Sequence, residues 1–242
     1  MISKKVISNI VSKYSLGNHI EQVKWGISDK KLNINFINDS KTLVGYVEYR
    51  DNIGLKNGNY GIFNTSQLTK CLNILDGDIL LDANSSKLNI ADTSYEIKFN
   101  LADPAVIPSV PDIKDPDQWS VSFSINNEFI TRFVKSKDAL SDLDTFTVET
   151  REGFTGEELV FTVGTNITNT IEFTVENATI NESFEAVPFD SNLLKEILKA
   201  NRDYHSGEIR ISKNGLLDVH LHCGGPLYTG YYLVRKQENN LK

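Results

Sequence analysis

The residues best equipped for chemistry are His220, His222 and Cys223, which stand together as His-Leu-His-Cys. Alternation along a strand puts the two imidazoles on one face, which would be half of a metal site. The chain has only four histidines, and no further ligand recurs at a suitable spacing. A pair of strand-face histidines beside the Gly224-Gly225-Pro226 turn is the better account, so neither metal nor cofactor is expected. The acidic pairs Asp142/Asp144 and Glu157/Glu158 fall in turn-like stretches and read as solvated surface. A Gly-rich phosphate loop, a nucleophile elbow and His-Glu-x-x-His are all missing from the sequence. The chain reads as a non-enzyme.

The cations are distributed more tellingly. Stretches with helical periodicity carry Lys4, Lys5, Lys13, Lys70, Arg132, Lys135, Lys195, Lys199 and Arg202 against Glu128, Asp190 and Glu196. The chain as a whole has a net charge of −7. Basic helices inside an acidic protein would offer a positive surface to duplex DNA, whose phosphates attract cations whatever the base sequence. Scattered lysines on solvated helix faces are the plainer alternative for any one of them. No aromatic-rich basic groove, zinc spacing or recognition helix points to sequence readout.

The elements that position these cations follow from periodicity. Ile7, Ile10, Val11 and Tyr14 recur at helical spacing, with Lys5, Asn9 and Ser12 on the opposite side and Lys13 at the margin of that opposite side. Alternating strands follow at Val23–Ile27, Leu32–Phe36 and Leu43–Tyr49, separated by turn-rich clusters. A second helix is predicted from Asn64 to Leu75, with Asn64 or Thr65 as its N-cap and Leu68, Cys71, Leu72 and Leu75 inward. Strands are predicted at Asp78–Asp82, Lys87–Ala91 and Tyr95–Phe99. Further on, a strand at Trp119–Ile125 leads to a helix around Asn127–Ser136, with Ile130, Phe133 and Val134 inward. Strands near Thr145–Glu149, Glu158–Val163, Thr170–Val175 and Ser183–Val187 precede a helix at Asp190–Asn201. Strands Glu208–Ser212, Leu216–His222 and Tyr228–Val234 complete the chain.

Between these two blocks lies Ala102–Trp119, which holds Pro104, Pro108, Pro111 and Pro116 out of six prolines in all. Proline fixes φ and lacks an amide donor, so the stretch reads as an extended connector. The flanking blocks share their grammar: Phe63-Asn-Thr-Ser-Gln-Leu-Thr-Lys-Cys-Leu lies over Phe189-Asp-Ser-Asn-Leu-Leu-Lys-Glu-Ile-Leu. The expectation is a duplicated α+β domain, with two helices and about eight strands per copy. Domain boundaries are placed at 1–103, 104–118 and 119–242.

Composition agrees with this size. At 242 residues, 40% apolar and 24% charged, the chain has ample material for a core. It contains no apolar run of the ~18–20 residues that span a membrane, and its start lacks the apolar centre of a signal peptide. Cys71 and Cys223 show no redox or metal spacing, so free thiols and a cytoplasmic location are expected.

The run Lys87-Leu-Asn-Ile-Ala-Asp92 and then Leu101-Ala-Asp-Pro104, leading into the Pro-rich stretch, resembles the DNA polymerase sliding clamps of T-even-type bacteriophages. These are a branch of the proliferating-cell-nuclear-antigen-like clamps. The resemblance covers nearly the whole chain in its order of elements and is carried at residue level by Phe63–Pro104. It implies a duplicated clamp domain assembling as a closed homotrimeric ring, with helices lining the hole and strands joined edge to edge between subunits. Strands near Tyr95–Phe99 and Thr170–Val175 would make that joint. It implies that the ring tethers the replicative polymerase to duplex DNA, in the host cytoplasm if the source is viral, with a clamp loader and late-transcription factors as further partners. Lys5, Lys70, Arg132 and Lys199 would face the hole, with Lys13, Lys135, Lys195 and Arg202 nearby. Val106, Ile107, Pro108 and Val110 would wall a groove for short partner peptides, unless they merely pin the connector to the sheets. A β-rich structural or adhesion protein of a virion is the competing reading.

Overall fold

The computed structural model describes residues 1–154, 156–165 and 167–237. The chain divides into two compact units, Met1–Pro111 with Cys223–Thr229, and Asp112–His222 with the residues from Gly230 onward. The division falls inside the Pro-rich stretch.

The first unit runs β1 (Ile2–Ser3), α1 (Lys4–Ser15), β2 (Val23–Ser28), β3 (Lys31–Ile37), β4 (Leu43–Tyr49), β5 (Gly58–Ile62), α2 (Thr65–Asn73), β6 (Asp78–Ala83), β7 (Lys87–Ala91) and β8 (Glu96–Asn100). Its strands pair antiparallel in the orders β1-β6-β7-β8 and β4-β3-β2-β5. The second unit runs β9 (Val121–Ser124), α3 (Asn127–Ala139), β10 (Thr145–Glu152), β11 (Glu157–Val163), β12 (Ile171–Val175), β13 (Thr179–Ile180), β14 (Val187–Asp190), α4 (Ser191–Ala200), β15 (Ser206–Ser212), β16 (Leu216–His222) and β17 (Leu227–Val234). The first residues of β17, Leu227–Thr229, count with the first unit. Here the sheet orders are β13-β9-β15-β16-β17 and β12-β11-β10-β14.

Apart from the short β13, the second unit repeats the first element for element, and each sheet repeats its strand order. The fold is a duplicated α+β domain, with two helices against antiparallel sheets in each copy. Helices α1 and α2 pack together in the first unit, α3 and α4 in the second.

The starts of α2, α3 and α4 are set by side chains that accept otherwise unpaired amides, whereas Ser3 before α1 makes no such bond. Asn64 accepts from the Gln67 amide at 2.8 Å, Asn126 from Phe129 at 2.8 Å, and Asp190 from Asn192 and Leu193 at 2.9 and 3.1 Å. At the far end of α1, Leu16 takes a left-handed φ of 45° and Gly17 follows at 67°, which stops the helix. The strongest point of the internal repeat is the start of the second helix in each unit. Thr65 and Ser191 are both buried, and their amides donate to the carbonyls of Glu21 and Asp144 at 3.0 Å. Leu68, Leu72, Leu194 and Leu198 are buried as the alignment of the two blocks expects. The aligned phenylalanines differ: Phe189 is fully buried, whereas Phe63 is 52% exposed.

Other departures have local causes. Strand β5 was not expected; pairing with β2, Trp25 opposite Tyr60, draws it into the sheet. Strand β14 lies later than the expected Ser183–Val187 and contains Pro188, tolerated because β14 ends its sheet. Helix α3 runs on to Ala139, one turn beyond the expected end. The core of the second unit is aromatic. Phe161 stacks on Phe146 and Phe173 and meets Phe123, Phe129 and Phe133 edge-on, with centroid separations of 5.2–6.4 Å. Among the described residues, no helix is long and apolar enough to cross a membrane.

Candidate nucleic-acid interface and connector groove

The expected cations separate into three groups. Lys5 on α1 and Lys70 on α2 are exposed on the helix pair of the first unit. Lys135 on α3 and Arg202, just past α4, are exposed in the second. The second group is exposed or half-buried but paired. Arg132 bridges to Glu128 one turn earlier, and its Nη1 donates to the Thr174 carbonyl at 3.4 Å. Lys195 bridges to Asp138, and Lys199 lies 3.8 Å from Glu196. The hydrogen bond that the Lys195 ammonium donates to Asp138 raises the lysine pKa above its ordinary range, and the same bond lowers that of the Asp138 carboxyl.

The third group is Lys13 alone, and it corrects the expectation. Lys13 is wholly buried and cannot face solvent or a phosphate. Periodicity put it at the margin of the outward side, yet the residue is buried, and its position in the last turn of α1 suits a cation at the negative end of the helix dipole. In α3 the same device appears at Lys137. It is buried, its Nζ donates to the Ser141 carbonyl at 2.7 Å, and burial lowers its pKa.

The start of the Pro-rich stretch is held against β5. The Ala102 amide donates to the Gly61 carbonyl at 2.9 Å, and Asp103 accepts from the Ala105 amide at 2.9 Å. Pro104–Val106 then form a single 3-10 turn, where the expectation was extended chain throughout. Proline at the first helical position costs no hydrogen bond there. Beyond it a groove of about 500 Å³ opens in the first unit. Its floor is Lys24, Gly26, Asn33, Asn35 and Asn59 from β2, β3 and β5, and its wall is Pro104, Ala105 and Ile107–Val110. Three of the four expected groove residues, Ile107, Pro108 and Val110, therefore line it. Val106 does not, and points away with 60% exposure.

Sequence reasoning missed the floor, since outward polar positions on strands carry no special mark. It also missed Gly61, although an isolated strand glycine does signal close backbone approach. A Cβ at Gly61 would sit 2.5 Å from the Ala102 carbonyl oxygen and 3.4 Å from Ile107. Gly61→Val should therefore lever the connector off β5, costing about 1–3 kcal/mol in denaturant unfolding. It should also expose residues 102–107 to amide hydrogen exchange.

The second unit holds a larger polar hollow of about 660 Å³ over β10, β11 and β12, floored by Thr147, Glu149, Thr162 and Glu172. The two histidines of the His-Leu-His run are engaged within that unit. His220 Nε2 lies 2.8 Å from the buried Asp218 carboxylate, and the His222 ring packs edge-on against His205.

The sequence matches no family model and no curated protein. Solved structures do match its fold. The proliferating cellular nuclear antigen of Entamoeba histolytica aligns with a TM-score of 0.73 at 16% identity, over 97% of this chain and 96% of its own. A PCNA2–PCNA3 complex from Sulfolobus tokodaii gives 0.68 at 16% identity over 98% of each chain. The PCNA of A. fulgidus, solved with the C-terminal region of FEN-1 bound, gives 0.74 at 14% identity over 99% and 98%. The fold of this chain is that of the PCNA-like sliding clamps over 97–99% of its length.

Proposed function

We propose that this chain is the subunit of a homotrimeric ring that encircles duplex DNA and tethers the replicative polymerase to it. The observation that carries the reading is the end-to-end match of a duplicated domain to clamp structures, over 97–99% of the chain. The virion reading finds no counterpart among these matches. The resemblance of Phe63–Pro104 to phage clamps supports a phage polymerase, loader and late-transcription factors as the partners.

Ring closure needs complementary edges. Strand β8 ends one sheet of the first unit and β12 ends one sheet of the second. Pairing β8 of one copy with β12 of the next is a head-to-tail contact, which closes when its rotation divides the circle. It would also cover two edges that otherwise invite aggregation.

A tether must remain on DNA while moving along it, so topology should supply retention and contacts should be few and blind to sequence. Lys5, Lys70, Arg132, Lys135, Lys199 and Arg202 supply such contacts, with Lys195 held by Asp138 beside them. An acidic remainder discourages phosphate from binding elsewhere. Pairing of Arg132 and Lys199 with glutamates keeps the attraction modest, which favours sliding over arrest.

Partner peptides would dock in the connector groove, as an apolar anchor against Ile107, Pro108 and Val110 with polar backbone over the asparagine floor. Ile107→Asp puts a carboxylate on that wall. It should weaken binding of the polymerase C-terminal peptide about tenfold, about 1.4 kcal/mol, while light scattering still finds three chains per particle. The function itself is tested by polymerase synthesis on primed circular DNA with the loader. Long products that require this protein are expected; a stable monomer to which the polymerase is indifferent would refute the assignment.

A further inference from the structure

Residues 107–118 are mostly exposed and make few hydrogen bonds. Among the described residues, Asp115 is the only one in that span that makes a hydrogen bond. Its partners form a closed circuit within the second unit. Asp115 accepts from Arg210 Nη2 at 3.3 Å, and Tyr232 Oη reaches its other oxygen at 3.5 Å. Arg210 in turn donates through Nε at 2.7 Å to Asp218, its cross-strand neighbour on β16. Asp218 is fully buried, and its second oxygen lies 2.8 Å from His220 Nε2. The His220 ring packs edge-on against Tyr232, which completes the loop. At the end of the connector, the Trp119 indole lies over the Arg210 guanidinium, 4.5 Å from centroid to carbon.

We propose that Arg210 is a positioning residue: it latches the second half of the connector to the β15–β16 face and so keeps the first half set as the wall of the peptide groove. Arginine suits this place for a physical reason. Its planar fork can satisfy a buried carboxylate on one edge, an exposed one on another, and an aromatic ring on its face. Buried Asp218, itself held against the partly exposed His220, fixes the guanidinium before the connector arrives, so the connector docks on a preformed surface. A proline-rich chain has little entropy to lose on docking, so two weak contacts are enough to hold it. Ordering the wall in advance raises the fraction of molecules competent to bind, and apparent affinity scales with that fraction.

This inference rests on the groove reading above, and the experiment separates the two. Trp25 is fully buried while Trp119 is half-exposed, so acrylamide quenching reports on Trp119. Asp115→Ala removes the connector's grip without disturbing buried Asp218. It should roughly double the quenching and weaken the fluorescein-labelled polymerase C-terminal peptide by about three- to tenfold, with three chains per particle retained. Asp115→Glu, which can still reach Arg210, should restore both. Arg210→Lys keeps the charge but loses the fork and the stacking, and should behave like Asp115→Ala. Unchanged quenching in Asp115→Ala would overturn the latch. Raised quenching with unchanged peptide affinity would overturn the positioning role. If the wild-type chain ignores the peptide, the groove reading fails, and the latch still stands or falls on the quenching.

Discussion

Simultaneous replacement of Lys5, Lys70, Arg132 and Lys199 by Glu should leave the trimer intact and abolish processive synthesis. The four reversals about double the net charge of −7 and concentrate the added charge on the helices, so the surface meant to tolerate DNA would repel it. Each lost phosphate contact also removes about 0.9 from the slope of log affinity against log salt. The structure divides the effect unevenly. Arg132 and Lys199 are already partly neutralised by Glu128 and Glu196, whereas Lys5 and Lys70 are not so paired. The Lys5→Glu/Lys70→Glu double variant should therefore account for most of the loss, measured as product length on primed circles. Product lengths indistinguishable from wild type in the fourfold variant would remove these helices from the DNA-facing surface. Lys13→Glu is not an equivalent change: it places a carboxylate in a buried site and should cost stability instead.

Phe161→Ala should be the most damaging single change to the second unit. The ring is fully buried and touches five other phenylalanines, so truncation leaves a cavity that surrounding strands cannot fill. The expected cost is about 3–5 kcal/mol, read as a fall in urea midpoint at unchanged slope. Phe161→Leu, which keeps most of the volume, should recover most of it. A cost below about 1 kcal/mol for the alanine variant would mean that the cluster is looser than its geometry implies.

The pattern of apolar residues made most of this fold legible before any coordinates. Strands β3, β4, β7 and β16 and the buried stripes of α1, α3 and α4 follow directly from period-2 and period-3.6 spacing, because burial on one face is what those periods encode. The duplication was readable from one short alignment around α2 and α4. What local pattern could not supply came from tertiary pairing. Gly58–Ile62 becomes a strand only because β2 needs a neighbour, and Pro188 enters one only because its strand stands at an edge. Lys13 misled because charge marks a side chain's end while its stem decides where it packs. In the groove, the wall was legible as apolar residues on a proline-rich segment. The floor and the Arg210 circuit were not: the floor is made of outward strand positions with no special mark, and Asp115 meets Arg210 and Tyr232 across 95 and 117 positions of chain.

The central claim is topological, and retention on closed DNA tests it most directly. The chain would be loaded on nicked circular duplex, separated from free protein by gel filtration at moderate salt, and followed after the circle is cut once. The account expects the protein to stay with intact circles and to be lost from the same DNA once it is linear. Equal retention on circle and line, or loss from both, would contradict a ring that holds DNA by enclosing it.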